Sequence, residues 1–140
     1  MHIVWSTDQR KNSIPEATLS PLWEYFRGIG YNKQIPVIAV GGIRNPVHLA
    51  IELPPVTALA DAVSVFKANS SRWLKEEHGV RTFSWQRGYG AFSFGRPQLA
   101  QVKRYIQNQA QHHKKRTFEE EFLDLLNRAG VDYDPRTVFE

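Results

Sequence analysis

Apolar and polar positions change period several times along the chain, and each change marks an element. His2-Ile3-Val4-Trp5-Ser6 is a short β-branched and aromatic run, followed by polar residues 7–13, so a strand and a loop are expected. From Pro15 to about Tyr31 the period becomes helical. Leu19, Leu22, Trp23 and Phe26 recur every three or four residues, and Gly28 and Gly30 are expected to end the helix. Residues 35–40 form a second strand closed by Gly41-Gly42, and residues 47–53 a third stopped by Pro54-Pro55. Thr57 is placed to cap a helix whose stripe holds Leu59, Val63, Phe66 and Trp73 and which ends near His78-Gly79. Residues 89–94 read as a fourth strand. Pro97 starts a long helix through about His113, with Leu99, Val102 and Ile106 as its buried stripe. Thr117-Phe118-Glu119-Glu120 has the form of a capping box, opening a last helix that stops at Gly130 ahead of a loosely held tail.

The order is βαββαβ followed by two helices. It predicts an α+β fold: a ferredoxin-like antiparallel sheet with helices on one face, plus a C-terminal helix and short tail. The other face is expected to stay open for a ligand or partner. At 140 residues the chain suits one domain. No repeat, linker or run of about 18 apolar residues interrupts it. The first residues run straight into a strand pattern instead of a secretory leader, so the chain reads as cytoplasmic. With no cysteine, disulfides and thiolate metal sites are excluded. Charge is divided unevenly: residues 1–116 hold 16 Lys and Arg against 7 Asp and Glu, whereas residues 117–140 hold 2 against 7. A basic body of this kind suits a polyanion such as nucleic acid, although a solvated surface explains it equally well.

Side chains alternate along a strand, so Val47, Leu49, Ile51 and Leu53 share the face under the helices, and Pro46, His48, Ala50 and Glu52 share the open one. His48 is then available as a ligand or as an ordinary hydrogen-bonding surface residue. The stretch Ala39-Val40-Gly41-Gly42-Ile43-Arg44-Asn45-Pro46-Val47-His48-Leu49 resembles the segment of HUH single-tyrosine transposases that ends in His-hydrophobic-His. His2-Ile3-Val4-Trp5-Ser6-Thr7 is similar to that family's opening strand, and Phe66-Lys67-Ala68-Asn69-Ser70-Ser71-Arg72-Trp73 to its second helix. Trp85-Gln86-Arg87-Gly88-Tyr89-Gly90-Ala91-Phe92-Ser93 resembles the stretch before its catalytic helix, and Asp132-Tyr133-Asp134-Pro135 its tail. Of these enzymes, the REP-associated tyrosine transposases resemble the chain most.

The resemblance implies DNA transposition and recombination chemistry by an HUH endonuclease: metal-assisted cutting and rejoining of single-stranded, hairpin-forming DNA through a 5′-phosphotyrosine. It points to Tyr105 as the nucleophile, and to His48 and Gln109 as ligands of a divalent metal, Mg²⁺ or Mn²⁺. At the first histidine position this chain has Pro46, which carries no donor atom. Asn45 could lend an oxygen, and His2 could approach if the first and third strands pair; neither is a known substitute. Family members also dimerise and build each site from two chains, which would put the Tyr105 helix near the partner's His48.

Tyr105 and Gln109 are four residues apart and share a helix face, with His112 nearly on the same side and Leu99, Val102 and Ile106 opposite. Without the resemblance, Tyr105 reads as an amphipathic helix-edge residue with its hydroxyl in water. The cluster His112-His113-Lys114-Lys115-Arg116 favours a helix C-terminus and equally suits phosphate contacts, with Lys103 and Arg104 extending the charge. Arg44 and Arg87 are further DNA-contact candidates. Trp85, Tyr89, Phe92 and Phe94 stand among basic residues, and one or two at the surface would suffice to stack unpaired bases. Three functions compete: an active transposase, a DNA-binding protein of the same fold that cuts slowly or not at all, and a protein-assembly domain. Pro46 favours the second, with metal held weakly or not at all, and the basic body argues against the third.

Overall fold

Each short apolar run folds as a strand and each stretch of three-and-four spacing as a helix. The computed structural model describes residues 1–109, 117–134, 136 and 138. The strands are β1 His2–Trp5, β2 Val37–Gly42, β3 Val47–Ile51 and β4 Gly90–Phe92; the helices are α1 Leu19–Lys33, α2 Leu59–Glu77, α3 Leu99–Gln107 and α4 Phe118–Arg128. The chain divides into two compact units, Met1–Gln109 and Ala110–Glu140.

In the first unit the strands make one antiparallel sheet in the order β2-β3-β1-β4. β1 and β3 are the inner strands, and both are buried along their whole length. One face carries Ile3, Trp5, Val47, Leu49 and Ile51, covered by Leu22 and Phe26 of α1 and by Val63 and Phe66 of α2. The rings meet at centroid distances of 5.8 Å for Trp5–Phe26 and 6.1 Å for Phe26–Phe66. Each such side chain contributes about 1.5–3 kcal/mol on burial, so this face dominates the stability.

Helix ends depart from the sequence expectations in three of the helices. α3, expected to run to about His113, ends at Gln107, where Asn108 leaves helical geometry at φ −101° and ψ 25°. α1 runs past Gly28 and Gly30 to Lys33 and closes on Gln34, which adopts φ 58°. Gly30 serves the return to β2: a Cβ there would lie 2.5 Å from the Ile35 carbonyl oxygen and 2.6 Å from Val37 Cγ2. Thr57 does not cap α2. Ala58 holds the N-cap without a side-chain bond, and the Thr57 amide donates to the Pro54 carbonyl at 3.0 Å.

The larger correction concerns the second face of the sheet. It is not open, because α3 lies across it. Ile106 packs with Ala39 and Ala50, with Ile38, Phe94, Val102 and Tyr105 around them. A Cβ on Gly41 would fall 2.5 Å from the Ile106 carbonyl oxygen, so the helix backbone rests almost directly on β2. In the second unit, Thr117 caps α4 by accepting from the Glu120 amide at 3.2 Å, and Gly130 beyond the helix adopts φ 69°. Among the described residues, no helix is long and apolar enough to cross a membrane.

Candidate active site

The register fixes what lies under α3. Val4 pairs with His48, His2 with Ala50, and His2 with Phe92. Paired residues share a face, so His2, His48, Ala50 and Phe92 all point toward α3. His2 and His48 are diagonal neighbours on adjacent strands, within reach of two ring side chains. Their rings stack at a centroid distance of 5.2 Å, and His2 Nε2 lies 2.9 Å from His48 Nδ1 in a hydrogen bond. Both are buried, at 5% and 0% exposure. The alternation expected for β3 holds, but His48 sits beneath a helix instead of facing solvent.

Tyr105 completes the cluster from above. Its ring stands edge-on to both imidazoles, 5.9 Å from His2 and 5.7 Å from His48. α3 therefore does not set Tyr105 against a separate apolar stripe as expected. Val102, Tyr105 and Ile106 of α3 all turn inward, and Gln109, just past the end of the helix, is buried too. One face thus carries both the packing residues and the candidate site residues. Within this chain, the tyrosine ring meets the chain's own His2 and His48.

Gln109, one turn beyond Tyr105, is buried and donates its Nε2 to the Tyr105 carbonyl at 3.1 Å. Its Oε1 is buried with no hydrogen-bond partner among the described residues. Among those residues, no three His, Cys, Asp or Glu side chains cluster as a metal site. The donors associated with Tyr105 are two imidazoles and a carboxamide oxygen. Such a neutral set with two imidazole nitrogens fits a transition-metal cation such as Mn²⁺ better than Mg²⁺, which favours carboxylate and water oxygens.

The other predicted residues fall in different places. Pro46 is buried immediately before β3, at the strand start where a residue without an amide donor fits. Asn45 is engaged in the loops: its Oδ1 accepts from Ser6 Oγ and its Nδ2 donates to the Arg10 carbonyl. Arg44 donates from Nε to the Ile14 carbonyl at 2.8 Å and from a terminal nitrogen to that of Asn12 at 2.7 Å, tying down the loop after β1. Arg87 and Arg104 are exposed and Lys103 is half-buried. The cluster His112, His113, Lys114, Lys115 and Arg116 lies outside the described residues.

Among the aromatic residues before α3, Phe83 is core and Trp85 is half-buried, with its indole nitrogen donating to Ser70 Oγ at 3.0 Å. Tyr89 is the exposed one. It borders a groove of about 420 Å³ between α2 and residues 85–89, lined also by Ser64, Lys67, Ser71, Trp85 and Gln86. Lys67 was given no role of its own in the sequence because a single lysine on a helix carries no pattern. Its ammonium donates to the carbonyls of Gln86 at 2.9 Å and Gly88 at 2.6 Å and lies 5.9 Å from the Tyr89 ring centroid. Burial pulls its pKa down to about 8.

A four-stranded antiparallel sheet with a tyrosine helix laid over two imidazoles is the kind of scaffold expected of a tyrosine transposase. The family described as IS200-like transposases matches residues 1–109, and the chain belongs to that family. The transposases for insertion element IS200 of Salmonella typhimurium and Salmonella typhi are each 23% identical to it over 119 residues, covering 81% of this chain and 78% of theirs. A crystal structure assigned as a transposase from Deinococcus radiodurans shares the fold, with a TM-score of 0.59, 23% identity, and coverage of 77% of this chain and 88% of the other.

Proposed function

We propose that the chain binds single-stranded, hairpin-forming DNA and transfers strands slowly through Tyr105. The observation that carries this reading is the Tyr105 ring packed edge-on against the buried His2–His48 pair. In the proposed step the phenolic oxygen bonds to a backbone phosphorus, the bond from phosphorus to the 3′ oxygen breaks, and the phenolic proton goes to solvent while the leaving 3′ oxygen takes one from it. The product is a 5′-phosphotyrosine and a free 3′ hydroxyl. A phenolate is a good leaving group, so the same step runs backward to rejoin a strand. A divalent cation, when bound, polarises the phosphoryl oxygen. The chain's own part is to hold the tyrosine. Ile106 on Gly41 fixes the helix height, and the two imidazoles fix the ring.

Pro46 removes a ligand that other family members carry, which supports slow cleavage with DNA binding retained. Binding rests on Arg87, Lys103, Arg104 and the basic residues after Gln109, none of which depends on position 46. Salt-sensitive affinity is therefore expected. Tyr89, exposed beside Lys67, is the proposed platform for an unpaired base. By the family resemblance the working form is proposed to be a homodimer; a monomer in light scattering at micromolar concentration would count against that part.

The test is covalent capture of a 5′-labelled oligonucleotide in Mn²⁺. Tyr105→Phe is expected to abolish the adduct while leaving filter-binding affinity within about twofold, and Pro46→His to accelerate it. An adduct that survives Tyr105→Phe refutes the assignment. An unmodified chain as fast as Pro46→His refutes the reading of Pro46.

A further inference from the structure

We propose that His2 stands in, with weaker binding, for the imidazole that position 46 lacks, so that His2 Nε2, His48 Nδ1 and the Gln109 side-chain oxygen form a three-donor site for a divalent transition-metal cation such as Mn²⁺. The inference rests on the proposed Tyr105 chemistry and names the ligand set that would serve it. His2 belongs to a different strand from the paired histidines of the family motif, so the site is built across β1 and β3 instead of along one strand.

Three observations support it. First, the two ring nitrogens are 2.9 Å apart. Two ligands at about 2.1 Å from a metal and at right angles to each other stand about 3.0 Å apart. The pair already has the spacing of neighbouring coordination positions. Second, both rings are buried on the face covered by α3 and pack against the proposed nucleophile, so a cation between them would lie beside Tyr105. Third, the Gln109 oxygen, two residues past the end of α3, is buried without a hydrogen-bond partner among the described residues, while its amide nitrogen is anchored to the Tyr105 carbonyl. Buried carboxamide oxygens are almost always bonded, so an unbonded one calls for an explanation, and a metal ion is one.

The competing account is that the imidazoles form only a hydrogen-bonded strap between strands. In that pair one nitrogen holds the proton and the other accepts it. For both to face a cation, the proton must move to the far nitrogen of its own ring, a tautomer change that keeps each imidazole neutral. Cation and hydrogen bond therefore exclude each other, which makes the two accounts separable.

The experiment uses the full chain with ¹⁵N-labelled histidine. Mn²⁺ is expected to broaden the ring signals of His2 and His48 before those of the other three of the five histidines. His2→Ala and, independently, Gln109→Ala are expected to weaken Mn²⁺ binding by at least about tenfold, with circular dichroism melts confirming that each variant is folded. The inference is overturned if millimolar Mn²⁺ leaves the His2 and His48 rings of the unmodified chain unbroadened, a result that needs no variant to fold. It is equally overturned if a folded His2→Ala binds as tightly as the parent. Adduct formation by Pro46→His, measured in parallel, separates the two readings. If that variant makes the Tyr105 adduct while the parent's His2 ignores Mn²⁺, only this inference fails. If neither chain makes the adduct, the strand-transfer reading fails, and the broadening still decides the site.

Discussion

The two faces of the sheet are built on opposite rules. Under α1 and α2 the strands present Ile3, Trp5, Val47, Leu49 and Ile51, large side chains that hold the helices by filling space. Under α3 they present Ala39, Gly41 and Ala50 beside His2 and His48, and the helix is held because so little stands between it and the strands. The first face supplies stability. The second gives it up for a buried polar pair and a tyrosine brought down onto it, the trade expected where a site must be held in a fixed geometry.

The contrast can be broken in three ways, in falling order of effect. Phe66→Ala, on the filled face, should lower unfolding free energy by about 3–5 kcal/mol in urea titration. It should leave the Mn²⁺ response of the His2 and His48 rings intact in the protein that remains folded. A loss of under 1 kcal/mol would mean the large rings are not the main support. Gly41→Val should cost about 1–3 kcal/mol, because its side chain meets the Ile106 carbonyl. Its effect on Tyr105 adduct formation should be larger than that stability loss suggests, and unimpaired adduct formation would show that helix height is not critical.

The smallest effect belongs to Lys67 at the rim of the filled face. Its pKa falls from 10.5 to about 8 on folding. Between those values the unfolded chain holds a proton that the folded chain has released, so raising the pH disfavours unfolding. Stability attributable to this group should therefore increase from about pH 8 to 10.5, and Lys67→Met should remove that slope. Because the ammonium is only about half buried, the change should be modest. Identical pH profiles for parent and variant would contradict the assignment.

How legible each face was in the sequence follows from the same contrast. Alternation of Val47, Leu49 and Ile51 identified the filled face because large apolar residues repeat with the strand period. Tyr105, His48 and Gln109 were singled out through family resemblance, and the Thr117 cap through its local spacing with Glu120. What escaped was written in small residues. Ala39, Gly41 and Ala50 have no pattern that announces a helix above them, so the face was expected to be open. His2 entered only as a conditional ligand, because pairing between residues 46 positions apart leaves no local trace. The same gap put Val102 and Ile106 opposite Tyr105, although all three lie on one stripe once a sheet is beneath them.

The place of β1 in the sheet also sets an order in time. The strand that emerges first, His2–Trp5, occupies the interior of the sheet, and its two neighbours come from residues 47–51 and 90–92. At roughly 5–20 residues per second of synthesis, the interval between the first strand and the last is roughly 5–20 s, during which β1 has at least one unpaired edge. Tyr105 arrives later still. Both strands that carry the imidazole pair are therefore made before Tyr105, the ring that packs against them in the folded chain.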